Sequence, residues 1–313
     1  MTDAAARVDR LAVTAALVTV TLWASAFVGI RAVIDDFAPG SLAVGRLAVG
    51  AIALGVLVAV RGFRMPSRRD LLFIVASGLL WFAVYNVALN EAERNLDAGT
   101  AAMLVNTGPI FIALFAGLFL GEGFPTRLLV GVAIAFAGTA VIGLASSAAP
   151  AVEGDFAWGM SLCIVAAVAY AAGVTLQKPA LGNVPALTVT WLACVTGMVA
   201  CLPFAPGLVA ELGTASPASV VWLIYLGLFP TAIAFTTWAF ALSRTAAGKL
   251  GSMTYLVPPV VIVMAWLILG EVPSWLAIGG GALCVFGVVV ARSSGLRPAR
   301  ARPTAAATAE PTD

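Results

Sequence analysis

The chain has 313 residues, 61% of them apolar and 10% charged, with a mean hydropathy of +1.03; a soluble domain sits near about 45–50% apolar and about 25% charged. That composition excludes both a water-soluble globule and a disordered chain, and a net charge of +2 gives no case for a nucleic-acid partner. There is no histidine to serve as base, metal ligand or pH sensor, and Cys163, Cys194, Cys201 and Cys284 fall in apolar runs without metal-like spacing. The sequence therefore predicts an all-α integral membrane protein whose standing partner is the lipid bilayer, with neither metal nor cofactor.

A helix needs about 20 apolar residues to cross a hydrocarbon core of about 30 Å, and ten stretches between charges and Gly/Pro breaks qualify. The first, 11–34, carries Trp23 and Ser25. With Arg7, Arg10 and Ala24-Ser25-Ala26 it imitates a secretory signal, but the apolar run continues to Ile30, so it is read as a span. The second, 40–60, holds Arg46; the third, 71–92, holds Tyr85, Asn86 and Asn90 and ends at Glu91. The fourth, 98–120, contains Asn106 and Pro109, and the tight link Gly121-Glu122-Gly123-Phe124-Pro125 leads to the fifth, 126–146. A linker over 147–155 precedes the sixth, 156–178, with Tyr170 and Gln177, and the seventh, 185–206. The eighth, 217–242, holds Trp238; the ninth, 248–270, holds Tyr255 and Pro258; Glu271 sits in the link to the tenth, 273–292. The tail over 293–313, rich in Ala, Pro, Thr and Arg, is expected to be disordered.

Placing residues 1–10 in the cytoplasm and threading ten spans leaves 14 of the 17 basic residues on the cytoplasmic side. The positive-inside rule then puts both termini there, in a bacterial-type inner membrane. The chain also repeats itself. Pro109, Leu120-Gly121-Glu122, Gly131 and Gly138 recur 149 residues later as Pro258, Leu269-Gly270-Glu271, Gly280 and Gly287, and Trp23 and Arg31 recur 147 later as Tyr170 and Lys178. Two five-helix blocks, 11–146 and 156–292, follow. Five is odd, so the second block enters the membrane from the opposite side, an inverted repeat with its binding site between the halves near the midplane.

With ten spans, two five-helix blocks and a Pro … Leu-Gly-Glu signature in each, the chain resembles the EamA-type members of the drug/metabolite transporter superfamily over residues 10–292. The resemblance implies alternating access and cytoplasmic termini. It also implies a cavity lined mainly by the first, third and fourth helices of each half, with the fifth helices packing outside. Such proteins carry amino acids, other metabolites, sugar phosphates or cationic drugs.

Arg46 lies roughly 9 Å below the end of its helix at about 1.5 Å per residue. An interior cation costs at least about 2.5–3.5 kcal/mol and needs a partner, either a substrate carboxylate or Glu91 or Glu93. Glu91 is the candidate carrier for proton coupling, with an interfacial position as the alternative. Glu122 and Glu271 precede a proline and a new helix, where a carboxylate accepts from free N–H groups, so both are expected to be structural. The remaining candidates for the substrate cavity are Trp23, Ser25, Tyr85, Asn86, Asn90, Asn106, Tyr170, Gln177, Trp238 and Tyr255, against the alternative of ordinary interhelical hydrogen bonding. Pro109 and Pro258 free backbone carbonyls and are expected to break their helices. The glycines serve contacts within one chain as readily as in a homodimer, so no oligomer is drawn from them. No phosphate loop or nucleophile–base set is present, which argues against an enzyme. The expected function is export of small organic metabolites, chiefly amino acids or related compounds. Export of cationic or aromatic drugs is the alternative within the superfamily, and a polytopic membrane enzyme or receptor is the alternative outside it.

Overall fold

In hydrocarbon every backbone N–H and C=O must be paired within the protein, and an apolar run satisfies this as a helix. The structure, a computed structural model, describes residues 2–96, 98–146, 155–269 and 275–293, and these are helical with short connections and no strand. The expected tail beyond Ser293, Glu271 and nearly all of the linker over 147–155 lie outside the described residues.

Helix α1 (Thr2–Arg31) turns through residues 32–38 into α2 (Pro39–Arg61), which starts on a proline that needs no N–H there. Ser67 Oγ accepts from Asp70 N at 3.1 Å and starts α3 (Arg68–Ser77), which runs through a π-helical turn, Gly78–Val84, into α4 (Tyr85–Asn95). Next come α5 (Ala98–Val105), α6 (Gly108–Phe119) and α7 (Thr126–Ser146), then α8 (Phe156–Ala180), capped by Asp155, and α9 (Ala186–Ala200). A bend of 51° carries α9 through the 3-10 turn Leu202–Phe204 into α10 (Ala205–Leu212). Pro203 and Pro206, which donate no backbone bond, fall at that bend. Helix α11 (Pro217–Leu226) passes through a second π-helical turn, Gly227–Ile233, into α12 (Ala234–Arg244). The last elements are α13 (Ala247–Gly251), the 3-10 turn Ser252–Leu256, α14 (Val257–Leu269) and α15 (Trp275–Arg292).

Among the described residues five helices are long and apolar enough to cross a membrane: Arg10–Ile30, Pro39–Arg61, Arg68–Asn95, Ala157–Ala180 and Pro217–Arg244. A sixth is counted if the bent pair Ala186–Ala200 and Leu202–Leu212 is one span. The sequence predicts ten spans, two of them broken at Pro109 and Pro258, and both breaks are present. The segments 98–120 and 248–270 are each broken just before a proline, between Val105 and Gly108 and through the 3-10 turn Ser252–Leu256. Gly108–Phe119, Thr126–Val141 and Ile278–Arg292 remain as shorter apolar helices. Large apolar side chains such as Ile52, Val56, Val60, Leu118, Leu144, Val221, Leu267 and Val289 face outward, as a lipid-embedded surface requires.

The sequence repeat reappears in the elements themselves. Residues 68 and 217, 78 and 227, 85 and 234, 98 and 247, 108 and 257, and 126 and 275 begin successive pairs of elements, each pair 149 apart. Three residues touch their own counterparts, as only groups on an axis relating two copies do. Cys194 Sγ donates to Leu47 O at 3.4 Å, Cys284 Sγ donates to Ala135 O at 3.4 Å, and the Trp23 and Tyr170 rings meet at 6.2 Å. Helices α7 and α15 form the closest pair. A Cβ on Gly131 would stand 2.6 Å from Ala291 Cα and one on Gly138 would stand 2.6 Å from Gly280 O, so only glycine permits this approach. All four cysteines are free and buried, as small apolar side chains.

Candidate functional site

The aromatic side chains of both halves gather in mid-bundle. Trp23 of α1 lies 5.9 Å from Trp81, 5.4 Å from Phe235 and 5.0 Å from Trp238, centroid to centroid, mostly edge to face. Trp81 meets Phe235 at 4.8 Å and Tyr170 at 5.2 Å, and Tyr170 meets Tyr85 at 6.0 Å. Trp23 and Tyr170 therefore touch directly instead of facing each other across a gap. From this cluster a cavity of about 60 Å³ extends toward the end of the bundle where α1 finishes and α2 begins. Its walls are Trp23, Ala26, Phe27 and Ile30 of α1, Arg46 of α2, Trp81 of the π turn, and Tyr85, Asn86 and Leu89 of α4. Val105, Asn106, Tyr170, Phe235, Thr254 and Val257 complete it.

Arg46 is the cation of this cavity and is only 3% exposed. Its Nε donates to Thr231 Oγ1 at 3.1 Å, and Thr231 in turn donates to Leu226 O at 2.8 Å, an i−5 contact in the π turn of the other half. Asn86 Nδ2 donates to Phe82 O at 2.9 Å and to Trp81 O at 3.3 Å, holding the matching π turn of the first half. Asn106 Nδ2 donates to Ala102 O at 2.7 Å, where α5 stops ahead of Pro109.

Of the residues expected to bind substrate, Trp23, Arg46, Tyr85, Asn86, Asn106 and Tyr170 line this one cavity. Ser25 turns away and bonds Tyr225 Oη at 2.7 Å, beside a separate groove of α1, α11 and α14. Asn90 is buried behind the wall, donating to Pro39 O at 3.0 Å. Gln177, Trp238 and Tyr255 are fully buried and do not line the cavity. Burial of an acid falls on Glu93, which is 0% exposed and within electrostatic reach of Arg46, whereas Glu91 is half-buried. Two residues along a helix turn a side chain by about 200°, so only one of the two can face inward.

Glu122, expected to accept from the N–H groups of the helix that follows it, has partners elsewhere. Its Oε1 accepts from Ala247 N at 2.7 Å and its Oε2 from Gly248 N at 3.1 Å, so it caps α13 of the second half and not the helix that follows it in sequence. Lys178 Nζ donates to Leu242 O and Thr245 O at the C-terminal end of α12. Among the described residues no cluster of metal-ligating side chains occurs. Trp81, Thr231 and Phe235 belong to the site without having been singled out. Two are apolar residues inside apolar runs, and the third is a lone threonine beside a proline.

The described residues form a helical bundle with a cavity lined by aromatic, amide and guanidinium side chains, and comparison with known proteins gives its family. The EamA-like transporter family matches residues 10–144 and again 157–293, so the chain belongs to that family. It is 38% identical over 281 residues to a probable terminal-alkyne amino-acid exporter of Streptantibioticus cattleyicolor, covering 89% of this chain and 92% of that protein. It is 33% identical to the uncharacterized transporter YdfC of Bacillus subtilis, with 85% and 86% covered. It is 30% identical to the uncharacterized inner membrane transporter YedA of Escherichia coli, with 86% of each covered. A solved crystal structure sharing 19% identity superposes with a TM-score of 0.73 over 90% of this chain and 96% of that one, which speaks for the fold.

Proposed function

We propose that the protein exports amino acids with apolar side chains across a bacterial inner membrane, by alternating access of two five-helix halves, 11–146 and 156–292, around the cavity. Arg46 is the observation that carries this reading. It is a buried cation on a cavity wall, its Nε taken by Thr231, so the Nη groups are left for a ligand carboxylate. The surrounding rings of Trp23, Trp81, Tyr85, Tyr170 and Phe235 suit an apolar side chain. The same Arg46 charge argues against cationic drugs. The exporter of Streptantibioticus cattleyicolor supports both the substrate class and the direction.

The basic residues support cytoplasmic termini. Under that orientation the cavity lies in the outer half of the bundle. Ten spans in two inverted halves are supported by the 149-residue spacing of the elements and by the twice-matched family segment.

Counterflow of labelled amino acids in proteoliposomes tests the proposal. Amino acids with aliphatic or aromatic side chains are expected to exchange, and their carboxamides are not. Equal exchange of both forms by the wild-type protein would remove Arg46 from this role.

A further inference from the structure

Residues 30, 89 and 106 line the cavity as Ile30, Leu89 and Asn106; the repeat relates them to Gln177, Trp238 and Tyr255, 147, 149 and 149 positions on. Those three counterparts are buried, and among the described residues both amide atoms of Gln177, Trp238 Nε1 and Tyr255 Oη have no hydrogen-bond partner. A stranded buried polar group is costly and uncommon, and here several fall on positions picked out by an independent criterion, the repeat. Asn90 Oδ1, at a position related to Ala239, and Tyr170 Oη, on the wall of the open cavity, also have no hydrogen-bond partner and stand outside the set. The two ends of the bundle differ as well. Helix α13 packs firmly on α6 and is clamped by Glu122, whereas among the described residues the related α5 and α14 pack less closely and both contribute a residue, Val105 and Val257, to the cavity wall. The bundle is thus more open between α5 and α14, at the cavity end, than between α13 and α6, at the end that holds the three stranded side chains.

We infer that Gln177, Trp238 and Tyr255 form a second, closed half of the ligand path, exposed when the bundle seals at the cavity end and parts at the other. This rests on the alternating-access reading above. In the second half Ala193 stands where the first has Arg46, Lys178 is engaged by the carbonyls of Leu242 and Thr245, and the three side chains offer an amide, an indole N–H and a phenol. That donor set suits the oxygens of a carboxylate-bearing ligand, held there more weakly than beside a guanidinium. A substrate entering by this half meets Arg46 only after the switch.

The test is thiol accessibility in a full-length variant with the four native cysteines replaced by serine. Ile30→Cys, Gln177→Cys and Tyr255→Cys are each treated with a membrane-impermeant methanethiosulfonate reagent, in right-side-out and in inverted vesicles. Ile30→Cys is expected to react only from the outer side, and the other two only from the cytoplasmic side. Adding Gln177→Leu to Tyr255→Cys removes the stranded amide and favours the sealed arrangement; cytoplasmic labelling is expected to fall about tenfold. Absence of reaction at residues 177 and 255 from both sides, in protein that still performs counterflow, would overturn the inference. So would reaction from the same side as residue 30. The expected labelling in protein that exchanges no amino acid would sustain the inference while removing the substrate assignment.

Discussion

Arg46 stays buried because its charge is answered from both halves, by the Thr231 hydroxyl and by the field of Glu93. A hydrogen bond to a charged group is worth about 1.5–3 kcal/mol. Thr231→Val is therefore expected to raise the half-saturation concentration for amino-acid exchange about tenfold or more, with membrane insertion intact, as read by counterflow against substrate concentration. An unchanged value would show that Thr231 does not position the guanidinium. Glu122 satisfies two N–H groups of α13 at once. Glu122→Ala is expected to lower the stability of the detergent-solubilised protein by about 1–3 kcal/mol, with Glu122→Gln less damaging, as read by thermal unfolding. Much of this site was legible in the sequence, because an arginine, asparagine or tyrosine inside an apolar run has to face protein. Trp81 and Phe235 gave no such signal, and Glu91 drew attention from Glu93 because the phase of the helix, which decides between them, cannot be read where polar residues are few.

At the scale of elements, the two π turns are the features that build the site. Each lies mid-way along a 28-residue helix, Arg68–Asn95 or Pro217–Arg244, and each is held by a side chain returning to a carbonyl, Asn86 in one and Thr231 in the other. Apolar periodicity predicts that a helix exists, not that it gains an extra residue in one turn, so these segments were invisible beforehand. The breaks ahead of Pro109 and Pro258 were legible, since a missing N–H leaves a definite mark. So were the glycines of α7 and α15, and Gly131→Leu is expected to force the two helices apart. A loss of about 1–3 kcal/mol or more should appear as a lower unfolding temperature. At the cavity end the loops are tied across the halves. The Ser219 hydroxyl, together with the Ser216 N–H at 3.2 Å, holds the Asp36 carboxyl below its ordinary range. A depressed carboxylate stabilises above the unfolded value and loses that contribution as pH falls through the folded one. Wild type and Asp36→Asn should therefore differ in unfolding temperature at neutral pH and converge below the ordinary carboxylate range.

At the scale of the whole molecule, the contacts of Leu47 with Cys194, Ala135 with Cys284 and Trp23 with Tyr170 join equivalent residues of two copies of one unit. This relation was legible from a handful of prolines, glycines and glutamates at constant spacing. The departures from it were not. The closer packing of one end, with Glu122 reaching into the opposite half, depends on how the copies lean on each other, which no pattern within either copy encodes. One departure bears directly on the proposed function: Arg46 stands on one side of the aromatic cluster and Ala193 at its counterpart. The most direct measurement is equilibrium binding of a radiolabelled aromatic or aliphatic amino acid to purified wild-type protein and to Arg46→Met, each competed with the free acid and with its carboxamide. The account predicts that the wild-type protein prefers the acid by about tenfold or more and that Arg46→Met loses this preference. Equal competition by both compounds at the wild-type protein, or a preference that survives the loss of Arg46, would contradict it.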